Sequence, residues 1–191
     1  MEIRRTFSFQ ANEGGRTRPT HTVITDANIL INLTHVGRLD LLGRLPGFTF
    51  VVTPDVLAEI VLPDQKQQVD GAVAVGILRI EELFGPETIA LFAELRHLMG
   101  AGEAASLALA VHRGWAVASD EKKTFRREAL ARLGPGRILT TPGLYMVAIR
   151  AGLLSVAQAD ADKARLDACK FTMGFSSFGD LISPGCGPRK R

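Results

Sequence analysis

Along the chain, the first clear pattern is the apolar, β-branched run Thr22-Val23-Ile24-Thr25, which stops at Asp26. From Asn28 onward apolar residues recur at helical spacing, at Ile29, Leu30, Leu33, Val36, Leu39 and Leu42. The pattern predicts a short buried strand and then a helix over 28–42, with Gly37 interrupting it or ending its first half. Pro46-Gly47 turns the chain into a second strand, 48–53. Thr53-Pro54 supplies the N-cap and first position of a helix with Val56, Leu57, Ile60 and Val61 on its apolar side and Glu59 between them. Pro63 ends that helix, 64–75 forms another, 76–80 is a third strand, and 86–99 is a helix with Ile89, Phe92, Leu95 and Leu98 along one face. Gly100-Ala101-Gly102 breaks the chain before Glu103, which opens a small-residue helix over 104–110. A fourth strand, Trp115 to Ser119, delivers Asp120 at its carboxyl end, and the next helix opens at once, over 119–123, to run to Leu133. A fifth strand over 137–140, a helix from Thr141-Pro142 to Ala151, a helix capped by Ser155 to about Cys169 and a short covering helix within 171–182 follow.

Strands that alternate with helices call for a mainly parallel sheet covered on both faces: a three-layer α/β/α sandwich of about five strands. The predicted domain occupies 21–182. Residues 1–20, rich in Arg, Thr, Gly and Pro, read as a flexible lead-in, and 183–191 as a flexible basic tail.

Composition narrows the class only slightly. A hydrophobic share of 46% and a charged share of 23% are ordinary for a folded soluble chain and argue against wholesale disorder. The length of 191 residues suits one domain better than two. No apolar stretch approaches the roughly 18 residues of a membrane span and the N-terminus has no signal-peptide core, so no membrane association and a cytoplasmic location are expected. The net charge of +3 is compatible with a nucleic-acid partner, although the arginines and lysine near the two ends also fit solvated tails. Cys169 and Cys186 form no Cys-x-x-Cys pair, which leaves a part-buried helical thiol and an exposed tail thiol. His21, His35, His97 and His112 share no ligand spacing, and Trp115 reads as core.

The acids carry the chemistry. In a parallel sheet Asp26 and Asp120 lie at the same edge. Glu103 heads the helix that leads into the fourth strand, and Glu59 lies one turn into the helix after the second, again toward that edge. Four acids from separate segments therefore converge on one cleft if the topology is parallel, and carboxylate oxygens are what hard divalent cations prefer. Each acid also has a plain reading: Asp26 and Asp120 as helix caps, Glu103 as a favourable charge at a helix N-terminus, Glu59 as a solvated helix residue.

Taken in order, Thr25-Asp26-Ala27-Asn28-Ile29-Leu30-Ile31, Val36-Gly37-Arg38-Leu39-Asp40-Leu41-Leu42, Thr53-Pro54-Asp55-Val56-Leu57-Ala58-Glu59-Ile60, Gly100-Ala101-Gly102-Glu103-Ala104-Ala105 and Ser119-Asp120-Glu121-Lys122-Lys123 resemble a PIN domain. PIN domains are the fold of the VapC-type toxin ribonucleases, and the likeness is to a subgroup described mainly as predicted nucleic-acid-binding proteins. It covers about residues 22–182. The resemblance implies Mg²⁺ or Mn²⁺ held by Asp26, Glu103 and Asp120, with Glu59 as a further catalytic acid and Asn28, Ser119 and Glu121 as polar helpers. It implies cleavage of single-stranded RNA to leave a 3′ hydroxyl, a homodimer, and an antitoxin partner able to cover the acidic cleft. Lys122, Lys123, Arg126 and Arg127, expected on the helix after Asp120, are candidates for the RNA backbone. Many family members carry a second Asp a few residues after the position of Asp120, where this chain has Lys122, Lys123 and Thr124 and keeps only Glu121 nearby. A PIN-like module that binds RNA or protein without cutting is the alternative. A phosphatase of the haloacid dehalogenase type would need a second Asp where Asn28 stands.

Overall fold

The computed structural model describes residues 21–182, so the expected lead-in, the basic tail and Cys186 lie outside the described residues. Five strands, β1 (His21–Thr25), β2 (Phe48–Val52), β3 (Leu78–Ile80), β4 (Ala116–Ala118) and β5 (Ile138–Leu139), form one sheet in the order β3-β2-β1-β4-β5. Every pairing is parallel. Ten helices among the described residues connect and cover them: α1 (Ala27–His35), α2 (Asp40–Arg44), α3 (Pro54–Glu59), α4 (Pro63–Ala74), α5 (Pro86–Leu95), α6 (Ala101–Arg113), α7 (Thr124–Leu133), α8 (Thr141–Arg150), α9 (Val156–Ala168) and α10 (Phe178–Ile182). The expected three-layer sandwich and its five strands are found.

Because successive strand residues face opposite sides, the central strands feed two separate cores. Val23, Phe50, Val52, Leu78, Ala116, Ala118 and Leu139 pack into a cluster that also takes buried residues of α1, α2, α4, α8, α9 and α10. Ile24, Val51 and Val117 point the other way, into a cluster with α5, α6 and α7. Both faces being covered, β1 and β2 read as continuous apolar runs rather than alternating ones. The small-residue helix α6 is buried from Ala104 to Ala110, its alanines allowing close approach to the sheet. Buried Asp162 of α9 accepts from Arg38 Nε at 2.7 Å and from the Tyr145 hydroxyl at 3.2 Å, which fixes α9 to α8 and to the turn after α1. Among the described residues no helix is long and apolar enough to cross a membrane.

Several expected boundaries move. The helix predicted over 28–42 is two helices, because Gly37 takes a left-handed φ of +67° between them. Glu59 is the last residue of α3 rather than one turn inside it. α6 begins at Ala101 with Gly100 as N-cap, so Glu103 is its third residue. The largest shift is at α7, which starts at Thr124 and not within 119–123. Side chains there take the N–H groups that a helix would otherwise leave open: Asn28 Oδ1 accepts from Asp120 N–H, and Ser119 Oγ accepts from Glu121 N–H. Lys122 and Lys123 thus stand on a loop. Cys169 is exposed at the end of α9 rather than partly buried. Trp115 is only half-buried, with the Arg113 guanidinium 5.6 Å from its ring centre.

Candidate active site

The chain winds outward through β1, β2 and β3, then crosses back to build β4 and β5 on the other side of β1. The connections leaving β1 and β4 therefore diverge, and in open parallel sheets the crevice opened this way at the carboxyl edge is where ligands bind. Asp26 and Ser119-Asp120 are the residues that emerge there.

Asp26 is the first residue after β1 and the N-cap of α1. Oδ1 accepts the Ala27 N–H at 2.8 Å; Oδ2 accepts the Asn28 amide at 2.9 Å and the Ser119 hydroxyl at 3.0 Å. The residue is 3% exposed. That burial is the main reason its carboxyl is pushed up to about 7. The Ala27 and Ser119 bonds hold it down in part, while the charges of Glu103 and Glu59 push it further up.

Asn28 joins the two halves of the crevice. Its amide nitrogen also reaches Glu121 Oε1 at 3.3 Å, and its Oδ1 accepts the Asp120 N–H at 3.2 Å. Asp120 is tied down more fully than expected, with Oδ1 on the Thr141 N–H at 2.9 Å and Oδ2 on the Thr141 hydroxyl at 2.5 Å and the Asn32 amide at 3.1 Å. Burial raises its carboxyl, and the Thr141 and Asn32 bonds lower it again. Glu59 Oε1 accepts the Gly102 N–H at 2.7 Å, and Glu103 Oε2 accepts the Gly100 N–H at 2.9 Å. Glu103 is also raised, first by burial and then by Glu121 and Glu59.

These groups line two adjoining cavities rather than one cleft. The smaller, about 360 Å³, is bounded by Asp26, Asn28, Glu59, Glu103 and Glu121. The larger, about 750 Å³, takes in Asp120, Glu121, Lys122 and Lys123 and shares Asn28, Ile31, Glu103 and Glu121 with the first. Arg126 and Arg127 do not line either of them, and Arg127 pairs with Glu128. Of the four cations expected beside the acids, the two lysines are at the cleft and the two arginines are not.

Three residues of this arrangement have no role assigned from the sequence. Asn32 and Thr141 hold Asp120, and Gly102 holds Glu59. Asn32 left a signal, as a polar residue among Ile29, Leu30 and Leu33 on the buried face of α1, one turn after Asn28. A Cβ on Gly102 would come within 2.7 Å of Glu59 Oε1, so glycine is needed for that contact.

The donor set is all oxygen, which suits Mg²⁺ or Mn²⁺. No Lys, Arg or His among the described residues forms an ion pair with Asp26, Glu59, Glu103, Asp120 or Glu121. A carboxylate offers about four acceptor sites, so each keeps at least one open. As they stand, no three His, Cys, Asp or Glu side chains among the described residues are grouped closely enough to hold an ion. The chemistry of the residues fits a divalent cation, and the side chains must draw together to chelate it.

Among solved structures, a chain of the crystal structure of VapBC2 from Rickettsia felis bound to a DNA fragment from their promoter is similar at 16% identity, over 62% of this chain and 98% of that one, with a TM-score of 0.44. No curated protein matches. A family model described as DUF3368, PIN domain, matches residues 22–158, from β1 into α9. With most of the sequence matched, and the parallel five-stranded sheet in place, the chain belongs to the PIN-domain family.

Proposed function

We propose that the protein is a metal-dependent endoribonuclease that cuts single-stranded RNA, working in the cytoplasm as a homodimer and as the toxin of a toxin-antitoxin pair. One observation carries the proposal: Asp26, buried at the crevice with no cationic partner among the described residues, shares its cavity with Glu59, Glu103 and Glu121, and its carboxyl is raised to about 7. A buried acid among other acids is costly unless a cation offsets the charge. PIN domains are generally nucleases, which points to the same use of the site.

Asp26, Glu103 and Asp120 would hold the ion, with Glu59 and Glu121 beside them. A divalent cation supplies a Lewis acid that lowers the pKa of water and offsets phosphate charge. The protein's part is to fix orientation. Asn28 and Ser119 donate to Asp26 Oδ2, Gly102 N–H holds Glu59, and Thr141 and Asn32 set the plane of the Asp120 carboxylate. Lys122 and Lys123, at the wall of the larger cavity, would bind the phosphate backbone. In the cleavage step water adds to phosphorus, the bond from phosphorus to O3′ breaks, and a proton goes to O3′, leaving a 3′ hydroxyl and a 5′ phosphate.

The noncutting reading has its own support, in the bonds that already occupy both Asp120 oxygens and in the lysines that stand where many relatives place a later Asp. Cleavage of a single-stranded RNA pool with EDTA, Mg²⁺ or Mn²⁺ separates the two. RNA bound but left intact by folded, metal-loaded protein selects the binding module.

A further inference from the structure

The larger cavity has a wall that the nuclease reading leaves unused. It is built by Lys170, Phe171 and Thr172, just past the end of α9, and Leu98 and Met99 line the same cavity. The backbone places these residues firmly. Lys170 N–H bonds to the Asp167 carbonyl and Phe171 N–H to the Leu166 carbonyl, the paired bonds of a helix stop that turns on one left-handed residue. That residue is ordinarily glycine or asparagine. Here it is Lys170, with φ +66°, the only non-glycine residue at positive φ among the described residues. Ending the helix does not call for a lysine, which glycine would outperform at this angle. What lysine adds is an ammonium group at the cleft.

The neighbours agree with that use. Lys122, Lys123 and Lys170 line the cavity, and none has an ion-pair partner among the described residues. Phe171 is half-buried against the core below it, and Leu98 is 46% exposed. The cleft therefore presents cations and an apolar, aromatic wall next to Asp120 and Glu121. Single-stranded nucleic acid requires this pairing, because its phosphates need positive charge and its unpaired bases stack on aromatic rings. In a duplex the base faces are buried against one another and cannot reach such a wall. We infer that Lys170 and Phe171 form a nucleotide subsite beside the acidic centre, with Lys170 on a phosphate and one unpaired RNA base stacked on Phe171. This inference rests on the nuclease reading for the identity of the strand, and it adds the residues that set where the strand lies.

The test is fluorescence anisotropy of a short, labelled, mixed-sequence single-stranded RNA with the full chain in EDTA, where no cutting takes place. Wild type is compared with Lys170→Gly and Phe171→Leu. Lys170→Gly removes the ammonium while suiting the left-handed turn, so its melting temperature should equal or exceed that of wild type. Its affinity should fall severalfold, and its salt dependence between about 50 and 200 mM should lose about 0.7 of a unit of slope, one phosphate contact. Phe171→Leu keeps an apolar group on the core and should lose about tenfold in affinity at unchanged slope. Double-stranded RNA should compete poorly, and its binding should be indifferent to Phe171→Leu. Wild-type affinity in a folded Lys170→Gly protein, or no binding by wild type, overturns the subsite, and Lys170→Gly decides the matter if Phe171→Leu does not fold. Parallel cleavage with Mn²⁺ separates the two readings. Cutting that is indifferent to both variants keeps the nuclease and removes the subsite, whereas binding losses without any cutting keep the subsite and remove the nuclease.

Discussion

Replacing Asp26 by Asn should stabilise the metal-free protein at alkaline pH and not at acid pH. Burial lifts the Asp26 carboxyl from 3.8 to about 7. A raised folded-state value means that the unfolded chain loses its proton first. The stability that Asp26 contributes is complete below about pH 4 and drains away as pH rises through about 7. A shift of about three units corresponds to about 4 kcal/mol. Asparagine escapes that loss but gives up part of the bonding. Its Nδ2 cannot accept the two donors, Asn28 and Ser119, that now meet on Oδ2, at a cost of roughly 1–2 kcal/mol. The net gain at pH 8 is then about 2–3 kcal/mol, or about 5–10 °C in melting temperature for a chain of this size. Differential scanning fluorimetry in EDTA from pH 4 to pH 8 reads it directly. The gain should open between about pH 4 and 7 and give way at the acid end to a loss of roughly 1–2 kcal/mol, the lost bonding alone. A difference between wild type and Asp26→Asn that does not change with pH would mean that burial does not raise the Asp26 carboxyl.

Three further outcomes are expected. Mn²⁺ above pH 7 should raise the melting temperature of wild type, by an amount equivalent to about 2.7 kcal/mol at a hundredfold excess over Kd, and leave Asp26→Asn and Glu103→Gln unmoved; equal shifts in all three would place the ion elsewhere. Gly102→Ala puts a methyl group within 2.7 Å of Glu59 Oε1 and 3.0 Å of Val56 Cγ2, which the exposed Glu59 side chain relieves by swinging off the Gly102 N–H, so RNA cleavage should fall as it does in Glu59→Gln while the melting temperature barely changes. Arg38→Met leaves buried Asp162 with the Tyr145 hydroxyl and a distant Arg165 at 3.8 Å. Urea unfolding should show a loss of about 3 kcal/mol, at the lower end of the range for breaking a buried pair because Arg38 is partly exposed.

Hydrophobic periodicity located all five strands because each is a short apolar run closed by Gly, Pro or an acid, and alternation with helices pointed to parallel pairing, whereas the order β3-β2-β1-β4-β5 is visible only in the structure. Asp26 and Asp120 were legible for the same reason: a parallel sheet puts both strand ends at one edge. The expectations that failed concern groups whose partners are distant in sequence. The helix expected from Ser119 starts only at Thr124, and the stretch before it is held by a bond from the Asp120 N–H to Asn28, 92 residues earlier. Local pattern cannot report that bond. Thr141 read only as a helix start, although its N–H and hydroxyl both hold the Asp120 carboxylate 21 residues away. Arg126 and Arg127 follow Lys122 and Lys123 at close spacing but lie in α7 and outside the lining of both cavities, which leaves their place on an RNA backbone a proposal.

The most direct test of the central claim is cleavage of a mixed single-stranded RNA pool by wild type, Asp26→Asn and Asp120→Asn in EDTA, Mg²⁺ and Mn²⁺. Wild type should cut only with a divalent ion and leave products ending in a 3′ hydroxyl, and neither variant should cut while both stay folded. Folded wild type that binds Mn²⁺ and leaves every RNA intact would contradict the claim.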